Sequence, residues 1–336
     1  MLAGLSVAAL AIIVAIIATH QITPLFMLSG LFCLALIRRL NFGYFIFALV
    51  AELLWLFYIA EPFIAPELAD LLAGFGKVSG ETLGRLANTA VISDDQRLVS
   101  LASRGLSGVL GLAAIAGIIV RFRAGHRDLT AFVLLASPMP VLFATPYGGE
   151  VIFRLYLFAT PFLAFFAASL FTPPQGSKGT WRLVALSLAL AVMVPAFLLA
   201  NNGKDAQYRF SPAEVEAADF LYRHSEPGQL LIEGSRSYPS QFRNYENFAY
   251  VPLSEELPEI ADDLLTAPDR LVVRWLRNTP AGGYVIITRS QKAVFDSMGL
   301  LPPGSLDAIE RALIASPDLT IAFTNQDATV LTLNTD

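Results

Sequence analysis

The sequence predicts an α-helical polytopic membrane bundle of about seven transmembrane helices, followed by a small extracytoplasmic α/β domain. Three observations predict it. The 336 residues are 55% hydrophobic and only 15% charged, with a mean hydropathy of +0.57, whereas a soluble domain carries about 25% charged residues. Apolar stretches close to the ~20 residues that a bilayer crossing needs recur up to residue 200. Beyond that point, short β-branched runs alternate with amphipathic helical ones, the pattern of an α/β domain. Charge divides at the same place. Residues 1–200 hold 12 basic and 9 acidic residues, whereas residues 201–336 hold 11 and 19. A net charge of −5 leaves no basic footprint for nucleic acid. The single cysteine, Cys33, excludes a disulfide framework and a cysteine-based zinc site.

Seven stretches qualify as spans: 1–19, 22–37, 42–60, 101–120, 128–146, 151–171 and 181–200. The second is short, and the fifth carries Pro138 and Pro140, which remove backbone donors and should kink it or end it early. Alternate loops hold Arg38 and Arg39, then Arg121, Arg123 and Arg127, then Lys178 and Arg182. Basic loops of this kind face the cytoplasm. The N-terminus is then inside, and His20–Gln21, segment 61–100 and Tyr147–Glu150 are outside with the tail. Residues 1–18 lack the basic start of a signal peptide, so the first stretch reads as a true helix. The same lack of a basic start fits a chain that is the C-terminal part of a longer polytopic protein.

Segment 61–100 places Leu68, Leu71, Leu72 and Phe75 on one helical face, continued by Leu83 and Leu86. It reads as one or two amphipathic helices on the outer surface, either a packing lid or a cover over a substrate groove. In the tail, Ser211-Pro212-Ala213-Glu214 is a capped helix start that runs to about His224 and ends at Glu226-Pro227-Gly228. Gln229–Glu233 reads as a strand and Pro268–Asn278 as a helix, with Leu271, Val272, Trp275 and Leu276 on one side. Tyr284–Thr288 is the clearest strand. Helices near 289–298 and 305–315 follow, and strands 319–324 and 328–333 form a hairpin over Asn325-Gln326-Asp327.

Catalytic signatures such as GxSxG, HExxH, a Walker loop or GxGxxG are absent. The informative groups are ionisable residues at membrane depth, which are expensive unless used or paired. Glu52 sits midway along the third stretch, either as a packing residue bonded across the bundle or as a catalytic acid. Glu150 and Arg154 share one helix face at i, i+4. Topology places Arg104 in the same outer layer, and Tyr147-Gly148-Gly149 gives that layer a tightly turned entrance. Two arrangements fit. Glu150 and Arg154 form an interfacial ion pair while Arg104 snorkels to the headgroups. Alternatively, Arg154 and Arg104 grip a lipid-linked phosphate, which the planar guanidinium suits, and Glu150 acts as a base or orients an acceptor hydroxyl. In the tail, Tyr238, Arg243, Tyr245 and Tyr250 lie on a long stretch, Ser235–Tyr250, that reads as a ligand-facing or membrane-facing loop. Trp275 and Tyr284 read as domain core. Nothing in the sequence indicates a divalent metal, and no cofactor is assigned.

Tyr147-Gly-Gly-Glu150, Phe153-Arg154-Leu-Tyr-Leu-Phe158 and Pro161-Phe-Leu-Ala-Phe together resemble a run in large polytopic membrane proteins of actinobacteria. The likeness continues through Gln96-Arg97-Leu98-Val99, Arg104, Arg121-Phe-Arg-Ala-Gly125, Ser211-Pro-Ala-Glu214 and Tyr284-Val-Ile-Ile-Thr-Arg-Ser-Gln291. That set of proteins is similar to the GT-C glycosyltransferases. The resemblance implies a protein of a bacterial plasma membrane acting at the outer face. Its donor would be a polyprenyl-phosphate-linked sugar, and its role cell-envelope glycan assembly. GT-C enzymes carry a catalytic acid in the first long outside loop, and here His20-Gln21 with Thr23-Pro24 holds no carboxylate. The acid then lies in an upstream transmembrane half, or the chain is a non-catalytic relative. The alternative function is a scaffold or flippase-type partner of an envelope-assembly protein. The expected partners are membrane lipid and the sugar donor. The expected domains are a bundle at 1–200 and an extracytoplasmic domain at 201–336.

Overall fold

The computed structural model describes residues 2–20, 22–64, 93–143, 148–172 and 179–334. The chain divides into two compact units, Met1–Asn88 with Leu106–Ala191, and Thr89–Gly105 with Val192–Asp336.

The helices run α1 (Leu2–Thr19), α2 (Thr23–Leu36), α3 (Phe42–Leu54), α4 (Asp94–Arg123), α5 (Leu129–Ala136), α6 (Gly148–Ala168) and α7 (Thr180–Asn202). Among the described residues four helical stretches are long and apolar enough to cross a membrane: Phe42–Ile59, Asp94–Arg123, Val151–Ala168 and Thr180–Tyr208. Three further apolar helices, Gly4–Thr19, Thr23–Leu36 and Leu129–Leu142, are shorter. The expected seven spans therefore coincide with apolar helices, but only four of these reach crossing length. The fourteen residues of α2 extend about 21 Å, short of a ~30 Å hydrocarbon core. The fifth stretch breaks where its prolines predict, α5 stopping at Ala136 and giving way to a 3₁₀ turn at Met139–Phe143. The fourth begins earlier than expected. Asp94 and Asp95 open α4, where acidic groups favour the helix dipole, and Ser93 Oγ accepts from the Gln96 amide at 3.2 Å. Residues 93–100 are thus the start of a long helix rather than the end of a surface segment. The expected amphipathic face from Leu68 to Leu86 lies outside the described residues.

In the first unit, Ile13 and Ile17 of α1 pack on Leu28 of α2 and Ala48 of α3. Ile22 and Phe26 pack on Val141 and Val151 of α6, with Phe26 and Phe158 stacked at 5.0 Å. α4 meets α6 at Gly117. A Cβ there would fall 1.9 Å from the Phe166 carbonyl oxygen, so only glycine permits the approach. Large apolar side chains such as Leu112, Phe153, Leu188 and Leu190 are exposed, as lipid-facing side chains are.

The second unit is built on a five-stranded mixed sheet of order β2-β1-β3-β5-β4. β1 (Leu230–Glu233) lies parallel to β2 (Ala249–Pro252) and β3 (Gly283–Thr288). β5 (Ala328–Leu333) runs antiparallel to β3 and to β4 (Leu319–Thr324). All four residues of β1 are buried, which is why it reads as an unbroken apolar run ending in one acid. One face is covered by α8 (Pro212–His224), whose Ala217, Ala218 and Leu221 meet Leu231, Ile286 and Val330. On the other face lie α9 (Leu253–Thr266), α10 (Pro268–Asn278), α11 (Arg289–Met298) and α12 (Ser305–Ala315), packed over Ile232, Val285, Ile287 and Leu331. The capping box at Ser211 and Glu214 forms as expected. Residues 93–105 join this unit through α11. The Ser93 amide donates to the Ser297 carbonyl at 3.0 Å, and Gln207 Nε2 donates to Ser297 Oγ at 2.5 Å.

Candidate functional site

The chemistry of the first unit gathers where α1, α2, α3 and α6 meet. Glu52, on the last turn of α3, is 2% exposed, and its Oε2 has no hydrogen-bond partner among the described residues. Among the described residues Oε2 does not make the expected bond across the bundle. Beyond Leu54 the helix widens into a π-helical turn, Trp55–Ile59, in which the Ala60 amide bonds the Trp55 carbonyl at 2.8 Å. Such insertions often mark functional sites. A cavity of about 290 Å³ opens beside this turn, lined by Glu52, Trp55 and Ile59 and by Thr19 and His20 at the end of α1.

His20 is fixed from two sides. Its Nδ1 accepts from the Ile22 amide at 3.0 Å, and its Nε2 stands 2.6 Å from Arg154 Nη2. Arg154 Nη1 donates to Thr23 Oγ1 at 3.1 Å. The guanidinium thus stitches the α1–α2 turn to α6, over the Ile22, Phe26 and Val151 cluster that holds both backbones. A carboxylate whose Oε2 has no partner among the described residues, an imidazole and a guanidinium lie at one end of this unit. The first can take a proton and the last can hold a phosphate.

Of the residues singled out in the sequence, Arg154 is placed in this group. Glu150 stands in the first turn of α6, but its side chain and the whole of Tyr147 lie outside the described residues. Arg104 falls in the second unit, on α4, with its side chain exposed. From sequence His20 reads only as a loop residue. Its one signal is its position before Thr23-Pro24, which begins a helix and fixes the turn.

The stretch Ser235–Tyr250 is less open than expected. Tyr238 is 2% exposed, and its hydroxyl donates to Glu233 Oε1 at 2.7 Å. Its large ring belongs to the core under α8, so it is not a ligand-facing residue. The Tyr222 hydroxyl accepts from the Gln241 amide at 2.9 Å and meets the Tyr250 hydroxyl at 3.2 Å. The loop is therefore fastened from inside. Ala249 and Tyr250 already belong to β2. Arg243 and Tyr245 remain exposed, Arg243 pairing with Asp219 at 3.3 Å and lying over the Phe242 ring. Tyr245 opens a 3₁₀ turn, and its carbonyl accepts from the Tyr250 hydroxyl at 3.0 Å. Trp275 and Tyr284 pack as half-buried neighbours of the two cores.

The second unit buries two acids, Glu233 and Glu214, that behave as opposites. Burial pushes the Glu233 carboxyl up to about 7, against the pull of the Tyr238 hydroxyl and Arg236, and its Oε2 is unpartnered among the described residues. Burial would also raise Glu214. Hydrogen bonds from Ser290 Oγ and from the Ser211 and Ser290 amides, with the charge of Arg289, instead hold it below its ordinary value. Glu214 ties the start of α8 to the start of α11, which is a structural role.

The apolar helices suggest the class, a membrane protein, and the chain also carries a unit built on a mixed five-stranded sheet. No protein-family model matches the chain, and no curated protein is significantly similar to it. Among the described residues no three His, Cys, Asp or Glu side chains gather as metal ligands.

Proposed function

We propose that the chain is a glycosyltransferase-like membrane protein of a bacterial envelope, handling a polyprenyl-phosphate-linked sugar at the outer face in glycan assembly. The observation that carries this is Glu52, a buried carboxylate without a hydrogen-bond partner among the described residues, in a cavity it shares with His20. A carboxylate kept in that state forgoes stabilisation, and an acceptor hydroxyl would supply the missing bond. In this function Glu52 takes the acceptor proton, and Arg154 turns from His20 toward the donor phosphate. The acid missing from the first outside loop is then provided from α3, beside that loop.

Envelope glycan in cells carrying Glu52→Gln or Arg154→Ala tests it. Loss of the glycan at normal protein levels is the expected result, and a wild-type glycan profile in Glu52→Gln would remove the proposal. One observation favours a scaffold instead: both Arg154 and Arg243 are already engaged within the chain. A scaffold would tolerate Glu52→Gln and lose glycan when the exposed Arg243 and Tyr245 are replaced.

A further inference from the structure

The opposite end of α2 carries a second cavity, of about 500 Å³, within the size range of small-molecule sites. Arg39, from the turn after α2, and Arg127, from the loop before α5, stand at its mouth with Thr130. Leu134, Phe162 and Phe165 form its wall. Asp128 also lines it, but its carboxylate is consumed. Arg121 donates to it twice, from Nε at 2.5 Å and from Nη2 at 2.9 Å. Among the described residues neither Arg39 nor Arg127 has a carboxylate partner, so the mouth keeps two uncompensated positive charges over an apolar wall.

The backbone delivers Arg39 there by an uncommon route. Arg38 takes the left-handed conformation, φ +58°, and closes α2 by bonds from the Arg38 amide to the Ala35 carbonyl and from the Arg39 amide to the Leu34 carbonyl, both 2.9 Å. Glycine is the usual residue at that position of the motif. An arginine held in such a conformation points to a constraint other than turn stability.

We propose that this cavity binds the phosphodiester of an anionic phospholipid, the phosphate between Arg39 and Arg127 and the first acyl methylenes along Leu134, Phe162 and Phe165. Charge complementarity selects an anion. The apolar wall, continuous with the exposed Leu129 and Phe165 of helices that carry the membrane character, selects a lipid over a soluble phosphate. The site lies at the other end of α2 from His20 and is independent of any role for Glu52.

The test is native mass spectrometry and thermal unfolding of the full chain in detergent. The additives are phosphatidylglycerol, phosphatidylcholine, whose choline neutralises the same phosphate, and soluble glycerol 1-phosphate. One retained phosphatidylglycerol is expected, held about tenfold better than phosphatidylcholine, with no stabilisation by glycerol 1-phosphate. Arg39→Gln with Arg127→Gln weakens retention about thirtyfold, the ratio two arginines give near an anionic membrane. Arg123→Gln with Arg182→Gln removes as much charge from residues that do not line the cavity and leaves retention unchanged. Each single change at Arg39 or Arg127 gives a partial loss, so a double variant that fails to fold does not end the test. Equal retention of the two lipids, stabilisation by glycerol 1-phosphate alone, or equal loss in both double variants would overturn the site.

Discussion

Glu233→Gln should change the pH dependence of the second unit in a defined direction. Glu233 is 1% exposed at the end of the central parallel strand, and its carboxyl rises from 4.5 to about 7 because burial disfavours the charge. A raised carboxyl contributes stability that is complete below its unfolded value and is lost as pH rises through about 7. Each pKa unit is worth about 1.4 kcal/mol, so the wild-type domain loses on the order of 3 kcal/mol between pH 4 and pH 8 through this one group. Glutamine keeps the shape and the acceptor for the Tyr238 hydroxyl but does not ionise. It leaves an amide N–H without a partner, a penalty of about 1–3 kcal/mol at every pH. The variant should therefore be less stable than wild type near pH 5 and comparable or more stable near pH 8. Urea unfolding of the full chain in detergent, read by pulse proteolysis of the second unit, measures both. Parallel pH profiles for the two proteins would refute the assignment, whatever the offset between them.

Glu214 should behave in the opposite sense. Its folded value is depressed, so its contribution is present above the ordinary carboxylate range and is lost as pH falls through the depressed value. Glu214→Ala leaves the buried Ser290 amide without its acceptor, while the half-exposed Arg289 keeps the Arg209 carbonyl, and should lower the urea stability of the domain by about 1–3 kcal/mol at pH 7. Gly117→Leu drives a side chain into the Phe166 carbonyl and should separate α4 from α6 within the first unit. Loss of a crosslink between cysteines placed on those two helices would register it. Arg38→Gly relieves the left-handed strain and should raise thermal stability by up to about 1 kcal/mol, measured by scanning fluorimetry.

Local signals were legible where one segment carried its own structure. The Ser211 box, the prolines that end α5, the Tyr284–Thr288 strand and the 319–333 hairpin all form as their residues dictate. β2 and α9 were not legible. β2 has four residues and closes on a proline, and α9 contains Pro258, which reads as a breaker although the helix runs through it. The site was half legible. Arg154 stood out because an arginine in an apolar helix is expensive. The partner it finds, His20, lies 134 positions away, and no periodicity joins them. Tyr238 looked like a surface aromatic because nothing local announces that Glu233 will be buried beneath it.

The second unit also draws on two distant parts of the chain, and that has a consequence for synthesis. The turn at Ser93 bonds to Ser297, about 200 residues later, which at roughly 5–20 residues per second is a wait of about 10–40 s. During that interval the ribosome delivers α5, α6 and α7, and the polar start of α4 has no sheet domain to dock on. Gln96, 7% exposed in the finished structure and within 3.4 Å of Gln207, must meanwhile be solvated or chaperoned. The Ser93–Ser297 junction therefore cannot form until about 200 residues have followed Ser93, and β5, which pairs with β3 inside the sheet, is made later still.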